Sequence, residues 1–363
     1  MIKRVLYIIN ILLVLLMLLA QASGYVSPLI FDKLSLLTYI YPFLLLINIL
    51  FCVFWVFVKF RFVIFPLIAV LLQITNIPLL LNFTTDNQNL FSEKSNQVSS
   101  QQNQALSQQN AIRFASFNVC GLKHNASDSS NNLDTLLDLL SSYRIDVAAL
   151  QDFPRISVKH NIHKQLIASG YQYFYSVQSD KGIMEKSVIY SKYPLISSGA
   201  LLPLAKRPAE YVFADVRKDG LEFRIYNLHL ASYKLSLEER NFKQAKDNSK
   251  GVIKKLLIAN KERAKEVEAL KNIISSTQKP YLVVGDFNDT PFSFAYKQLS
   301  KDMTDAFAKK GHGFGITYRE LFVPYRIDYV LTSEDFTTLA YNSPISSMSD
   351  HYPVFVLLNV KTK

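Results

Sequence analysis

Three long apolar runs stand in succession at the start of this chain, over about residues 5–22, 34–58 and 62–81. A helix needs roughly 20 apolar residues to cross the hydrocarbon layer of a bilayer, so the second and third runs qualify and the first falls at the lower edge. Buried helices of a soluble protein would need three such nearly charge-free segments in a row, and few soluble cores offer them a place. The first eighty residues are therefore read as a membrane anchor. A second reading applies to the first run alone. Lys3 and Arg4 precede it and Ala20-Gln21-Ala22-Ser23 follow it, the pattern of a cleavable signal peptide.

The basic residues around the runs are Lys3, Arg4, Lys59 and Arg61. Short loops rich in Lys and Arg stay on the cytoplasmic side, so these positions belong inside. Three crossings then bring the segment after Leu81 out on the other face, and so do two crossings if the first run is cleaved. The expectation is an integral protein of a plasma or inner membrane, its remaining domain extracytoplasmic. From 84 to 111 the composition turns to Gln, Ser and Asn, too polar to offset the entropy of ordering, and predicts a flexible tether. The rest, 112–363, is the candidate catalytic domain.

That domain alternates short β-rich runs with helical patterns. The runs are IRFASFNV, DVAALQDF, SVIYSKYPLI, YVFADV, FRIYNLHL, YLVVGDF, RIDYVL and YPVFVLLNV. Leu133, Leu136, Leu137 and Leu140 recur at helical spacing and give one apolar face. Many strands with few helices suggest two packed sheets flanked by helices. A formal net charge of +11 favours anionic partners such as phospholipid headgroups, nucleic acid or phosphorylated small molecules. Two cysteines, Cys52 and Cys120, exclude a disulfide framework.

Polar residues gather at the ends of the predicted strands: Asn118, Asp152, His229, Asp286, Asn288, Asp328, Asp350 and His351. Carboxylates and amides suit a hard, oxygen-seeking cation, and imidazoles suit proton transfer. Read with their neighbours, they lie in Phe117-Asn118-Val119, Leu150-Gln151-Asp152, Asn227-Leu228-His229-Leu230, Val284-Gly285-Asp286-Phe287-Asn288-Asp289, Arg326-Ile327-Asp328-Tyr329 and Ser349-Asp350-His351-Tyr352-Pro353. In this order the six motifs resemble the endonuclease/exonuclease/phosphatase (DNase I-like) superfamily.

The resemblance implies an α/β fold, a four-layer α/β/β/α sandwich here preceded by transmembrane helices, with a cleft at one edge of both sheets. It implies magnesium or manganese as cofactor, with Asn118, Asp152 and Asp350 placed for the metal. It makes Asp286 the group that orients or deprotonates water, Asn288 a donor to phosphoryl oxygens, and His229 and His351 the proton-transfer or charge-stabilising pair, with Asp328 orienting one ring. One position departs from the family pattern: Asp152 stands where a glutamate is usual, with the same charge and one methylene less reach. The implied activity is metal-dependent hydrolysis of a phosphoric ester, membrane-proximal and acting on a lipid headgroup or another phosphorylated substrate. A membrane-anchored nuclease and a catalytically silent binding module of the same fold are the alternatives.

Asp289, beside the fourth motif, reads as a loop-capping or solvated carboxylate. Between the third and fourth motifs lies a charge-rich insertion from about Leu235 to Thr277, with helical periodicity and a cluster of Lys243, Lys246, Lys250, Lys254 and Lys255. Such a helix is either a solvated face or a basic surface lying against anionic lipid.

Overall fold

The computed structural model describes residues 1–84, 91, 111–123, 129–154, 156–177, 186–201, 210–236, 238–240, 242–320 and 323–361. The tether expected over 84–111 therefore lies, but for Thr84, Phe91 and Ala111, outside the described residues. The elements begin with α1 (Ile2–Ser23), α2 (Leu37–Val58), α3 (Ile64–Leu71), α4 (Ile77–Leu80), β1 (Asn82–Phe83), β2 (Ala111–Asn118), α5 (Ser129–Ser142), β3 (Val147–Gln151) and α6 (Ile156–Ala168). Next come β4 (Tyr173–Ser176), β5 (Ser187–Ser191), β6 (Leu195–Ala200), β7 (Tyr211–Lys218), β8 (Leu221–His229), α7 (Phe242–Asp247), α8 (Ser249–Ser275), β9 (Tyr281–Asp286) and α9 (Phe294–Leu299). The chain ends with β10 (Thr304–Asp305), α10 (Ala306–Lys310), β11 (His312–Gly313), β12 (Asp328–Thr332), β13 (Phe336–Asn342) and β14 (Val354–Val360).

Two compact units divide the chain. The first combines Met1–Leu81 with Ala231–Val267 and Asp289–Gln298; the second holds Asn82–Leu230, Glu268–Asn288 and Leu299–Lys363. The units thus do not follow the linear order of anchor, tether and domain. Part of the basic insertion belongs with the apolar helices.

In the first unit, α1 and the helical stretch Asp32–Val58 are each long and apolar enough to cross a membrane. Leu12, Leu15, Leu50, Val53 and Phe57 face outward, more than half exposed. Polar groups turned inward are satisfied, as a medium of low dielectric requires. Trp55 Nε1 donates to Asn10 Oδ1 (3.0 Å), Asn10 Nδ2 to Asn48 Oδ1 (3.2 Å), and Asn48 Nδ2 to the Leu44 carbonyl (2.8 Å).

The third apolar run departs from the expectation of one continuous span. It breaks into α3, of eight residues, and α4, of four. At 1.5 Å per residue α3 covers only about 12 Å. The cause lies in Gln73, Asn76 and Pro78. Gln73 is buried and donates to Gln21 Oε1 (2.8 Å), while the Tyr41 hydroxyl and Asn76 Nδ2 donate to Gln73 Oε1 (2.8 and 3.2 Å). Pro78 sits in the first turn of α4, a place where proline starts a helix rather than continues one. Even so, the run joins both ends of the other two helices. Phe62 stacks on Tyr7 at 4.1 Å and meets Trp55 edge-on at 5.1 Å, whereas Gln73 reaches the last turn of α1 and the first turns of α2.

The insertion meets the start of α2 through a buried polar knot. Arg263, fully buried, donates from Nε to Asp289 Oδ2 (3.0 Å), from Nη1 to the Ala231 carbonyl (2.6 Å) and from Nη2 to the Tyr39 hydroxyl (3.2 Å) and to Asn260 Oδ1. Asn260 Nδ2 donates to Ser35 Oγ (2.6 Å), and Lys261 pairs with Asp32 at 2.7 Å. Asp289 does cap its loop, Oδ1 accepting from the Thr290 N–H (2.9 Å), but it is not solvated: it is one half of a buried ion pair. A guanidinium in this setting leaves almost no donor unmatched, which is what permits its burial.

In the second unit, two six-stranded sheets run in the orders β10-β12-β9-β8-β7-β6 and β13-β14-β2-β3-β5-β4. The β8–β9 and β2–β3 pairs are parallel and their other neighbours antiparallel. Side chains alternate between two cores along each strand. Ile112, Phe114, Val147, Ala149 and Ile189 meet Val212, Ala214, Ile225, Leu282, Val284 and Val330 between the sheets. Phe117, Leu150 and Val188 turn the other way, onto Leu133, Leu136 and Leu140 of α5 and Ile162 and Leu166 of α6. Burying a large apolar side chain stabilises by roughly 1.5–3 kcal/mol, so these two cores dominate the energetics. On the far side the C-terminal end of α8 buries Leu270 and Ile274. The result is the expected four-layer α/β/β/α sandwich.

Candidate active site

Strand register gathers the site. Asp286, the last residue of β9, lies opposite His229 at the end of β8 and opposite Asp328 at the start of β12. Three neighbouring strands thus present their motif residues at one edge of a sheet. Gly285 makes the approach possible: its φ is +125°, and a Cβ there would lie 2.0 Å from the Leu228 carbonyl oxygen. A side chain at this position would push β9 away from β8.

Asp286 is the hub. Its Oδ1 accepts from the Asn288 backbone N–H (2.8 Å), and its Oδ2 accepts from Asn118 Nδ2 (2.9 Å) and Asn288 Nδ2 (3.1 Å). Two imidazoles flank the same Oδ2, His229 Nε2 at 3.6 Å and His351 Nε2 at 3.7 Å. These separations are too long for direct hydrogen bonds, and they suit a small reacting group held between rings and carboxylate. His351 Nδ1 shares a 2.9 Å hydrogen bond with Asp328 Oδ2, which turns Nε2 toward Asp286. The backbone N–H groups of Ile327 and Asp328 both donate to Thr317 Oγ1 at 3.0 Å, fixing the start of β12.

The electrostatics follow from burial and pairing. Burial pushes Asp286 up to about 7, with the charge on His351 opposing and that on Asp328 adding to the rise. For His351 burial works against the charged ring, but the carboxylates of Asp328 and Asp286 outweigh it and raise the imidazole to about 10. The imidazolium is therefore the favoured form of His351 at neutral pH, beside a carboxyl group poised to exchange a proton.

Of the residues singled out in the sequence, Asn118, His229, Asp286, Asn288, Asp328 and His351 come together. Asp350 is buried alongside, with Ser349 Oγ 3.4 Å from its Oδ1. Asp152, at the end of β3, has a separate partner. It holds a left-handed backbone (φ 47°), and its Oδ1 pairs with Lys186 Nζ at 2.7 Å. Among the described residues the metal-compatible cluster is Asp286, Asp328 and His351, whose ligand atoms lie within 4.8 Å of one another. Asp328 Oδ1 is buried there without a hydrogen-bond partner among the described residues.

Both amide hydrogens of Asn288 are engaged, one by Asp286 (3.1 Å) and one by the Leu230 carbonyl (3.0 Å), so its side chain braces the loop and Asp286.

Four neighbours of the cluster, Gln151, Asn227, Ser349 and Lys186, were given no role by the sequence. Gln151 Nε2 donates to Asn227 Oδ1 (2.7 Å), and Asn227 Nδ2 donates to the Leu150 and Val188 carbonyls (3.0 Å each), a buried bridge from one sheet to the other. The signal was available, since an amide in a run of apolar strand residues must find partners. Ser349 Oγ donates to the Asn118 carbonyl (2.7 Å) and accepts from the His351 N–H (3.1 Å), tying the last motif to the first. No spacing rule pointed to Lys186.

The model of the endonuclease/exonuclease/phosphatase family matches residues 115–351. That of a domain of unknown function, DUF8431, matches residues 3–79. No curated protein matches the chain. Among solved structures, an endonuclease/exonuclease/phosphatase family protein from Leptotrichia buccalis is similar at TM-score 0.51 and 13% identity, over 68% of this chain and 99% of its own. One from Bacteroides thetaiotaomicron gives 0.51 and 17%, over 70% and 99%. TDP2 of D. rerio, solved with a single-strand DNA product, gives 0.51 and 16%, over 69% and 99%. At these identities the likeness is one of fold.

Proposed function

Because the chain belongs to the endonuclease/exonuclease/phosphatase family, we propose that it is a divalent-metal-dependent hydrolase of phosphoric esters that works beside a membrane, on a phosphodiester or phosphomonoester such as a lipid headgroup. The observation that carries this reading is the placement of one buried carboxylate, Asp286, between two imidazole Nε2 atoms at 3.6 and 3.7 Å. Attack of water on phosphorus removes a proton at one point and builds negative charge at another. A carboxyl that exchanges protons near neutrality, flanked by a ring held protonated, meets both needs.

In this reading Asp286 orients and deprotonates the attacking water. His351, held by Asp328, stabilises the charge that develops on phosphoryl oxygens, and His229 serves as the second imidazole on the same side. Asn118 and Asn288 fix the Asp286 carboxylate, and Ser349 fixes His351. Magnesium or manganese fits the donor set, which is rich in carboxylate and amide oxygen and contains no thiolate. Asp152, which already holds the ammonium of Lys186, would bind it with Asn118 and Asp350. Such a cation supplies Lewis-acid polarisation of the phosphoryl group.

Support for the membrane side comes from the third apolar run. Its two ends pair with opposite ends of α1 and α2, so in this reading it serves as a third pass away from the basic end, with Lys3, Arg4, Lys59 and Arg61. Three passes with the basic end inside leave the catalytic unit extracytoplasmic.

The test is a screen of the full chain in detergent with model phosphodiesters and phosphomonoesters, phospholipid and single-stranded DNA, with magnesium, with manganese and with chelator. Cleavage that chelation abolishes and added metal restores is expected, with phospholipid among the substrates. Cleavage of DNA alone would favour the nuclease reading, for which the TDP2 complex and the net charge of +11 speak. Metal binding without turnover of any substrate would leave a silent binding module.

A further inference from the structure

The first part of α8 carries a face that borders the polar knot at Lys261 and is open beyond it. Val252, Ala259, Arg263, Glu266 and Val267 are buried on one side. On the other, Lys250, Ile253, Lys254, Ile258, Lys261 and Lys265 fall within an arc of about 140° at roughly 100° per residue; Ala264 in the same arc is buried and Leu257 half-buried, so the open part is the stretch from Lys250 to Ile258. Ile253 is 44% exposed and Ile258 53%, so two large aliphatic side chains stand among lysines. A merely solvated helix has no use for them there. An interfacial helix does, because aliphatic groups enter the acyl boundary while lysines meet phosphate.

We propose that this face of α8 lies on the anionic phospholipid surface that surrounds the apolar helices, so that the first unit grips the membrane both through the bilayer and along it. The occupant is named by continuity and by charge. Lys261, inside the arc, pairs with Asp32 at 2.7 Å, and Asn260, one residue away, holds Ser35, both at the entry to α2. The face therefore starts where the bilayer reading puts the headgroups. Lys250 and Lys254 then meet an anionic layer, their stems snorkelling beside Ile253 and Ile258, while Lys261 and Lys265 pair with Asp32 and Glu262. Lys255, which the sequence grouped with them, is turned away and pairs with Glu239.

The proposal rests on the reading of the apolar helices as membrane spans, and one preparation separates the two. The full chain, with Cys52 and Cys120 replaced by serine and Ile258→Cys carrying an environment-sensitive fluorophore, is reconstituted into vesicles of phosphatidylcholine alone or with phosphatidylglycerol. Blue-shifted emission, quenched by brominated lipid, is expected only with phosphatidylglycerol present. Each lysine near such a surface contributes about fivefold to partitioning, so Lys250→Gln with Lys254→Gln should lower the bound-to-free ratio of the face roughly 25-fold. Emission characteristic of water in both vesicles, or burial indifferent to phosphatidylglycerol and to the two lysines, overturns the proposal. A chain released from vesicles by alkaline extraction overturns the spanning reading as well, whereas retention with a water-exposed label overturns only the surface.

Discussion

Asp328 is placed to act through His351, and its contribution can be worked from the geometry. The two share a 2.9 Å hydrogen bond in a buried setting. Unit charges about 4 Å apart at an effective dielectric of about 20 attract by about 4 kcal/mol, or about three decades in rate if the whole interaction is felt in the transition state. Asp328→Asn removes the charge but leaves an amide oxygen to accept from Nδ1, so the expected loss in kcat is about 10- to 1,000-fold. His351→Ala removes the ring, and a loss of about 100- to 10,000-fold is expected. The double variant should be no slower than His351→Ala, because a carboxylate that works only by holding the ring has nothing left to hold. Steady-state turnover of a model phosphodiester at saturating magnesium measures all three, with circular dichroism to check that the fold persists. Wild-type rates in both single variants, or losses that multiply in the double, would refute the reasoning.

At the metal, Asp152→Glu should keep or raise activity and Asp152→Ala should abolish its magnesium dependence; a magnesium titration of wild-type form in the alanine variant removes Asp152 from the ligands. For the inter-sheet bridge, Asn227→Leu deletes three buried hydrogen bonds, about 1 kcal/mol each, and should cost about 3 kcal/mol. An unchanged thermal midpoint by near-ultraviolet circular dichroism would show the bridge to be idle. Concerning sidedness, a reporter fused after Leu81 should give the export-dependent signal, and a cytoplasmic signal contradicts the three-pass reading.

The sandwich and most of the residues that meet at the strand edge were legible because strand-end motifs report on local chemistry. GDFND needs its glycine for a positive φ, and the aspartate that follows has to emerge at the strand edge. What was not legible depended on long-range pairing. Asp286, Asp328 and His229 meet through register across three strands, which no single motif encodes. Gln151 and Asn227 were inside quoted motifs, yet nothing local says that one amide finds the other across two sheets. The third apolar run looked like a plain span by hydropathy, and the break came from Gln73 and Asn76, whose partners lie on other helices. Asp289 looked solvated because Arg263, which buries it, lies 26 residues away.

The first unit is assembled from stretches far apart in the chain, and this sets an order of events at the ribosome. The apolar helices are complete at Leu81, but the segments that cap them end only at Gln298. At roughly 5–20 residues per second, synthesis of the intervening two hundred or so residues takes on the order of ten to forty seconds. During that interval Ser35 and Tyr39 have yet to meet Asn260 and Arg263. The first unit is thus the first part of the protein to be begun and among the last to be finished.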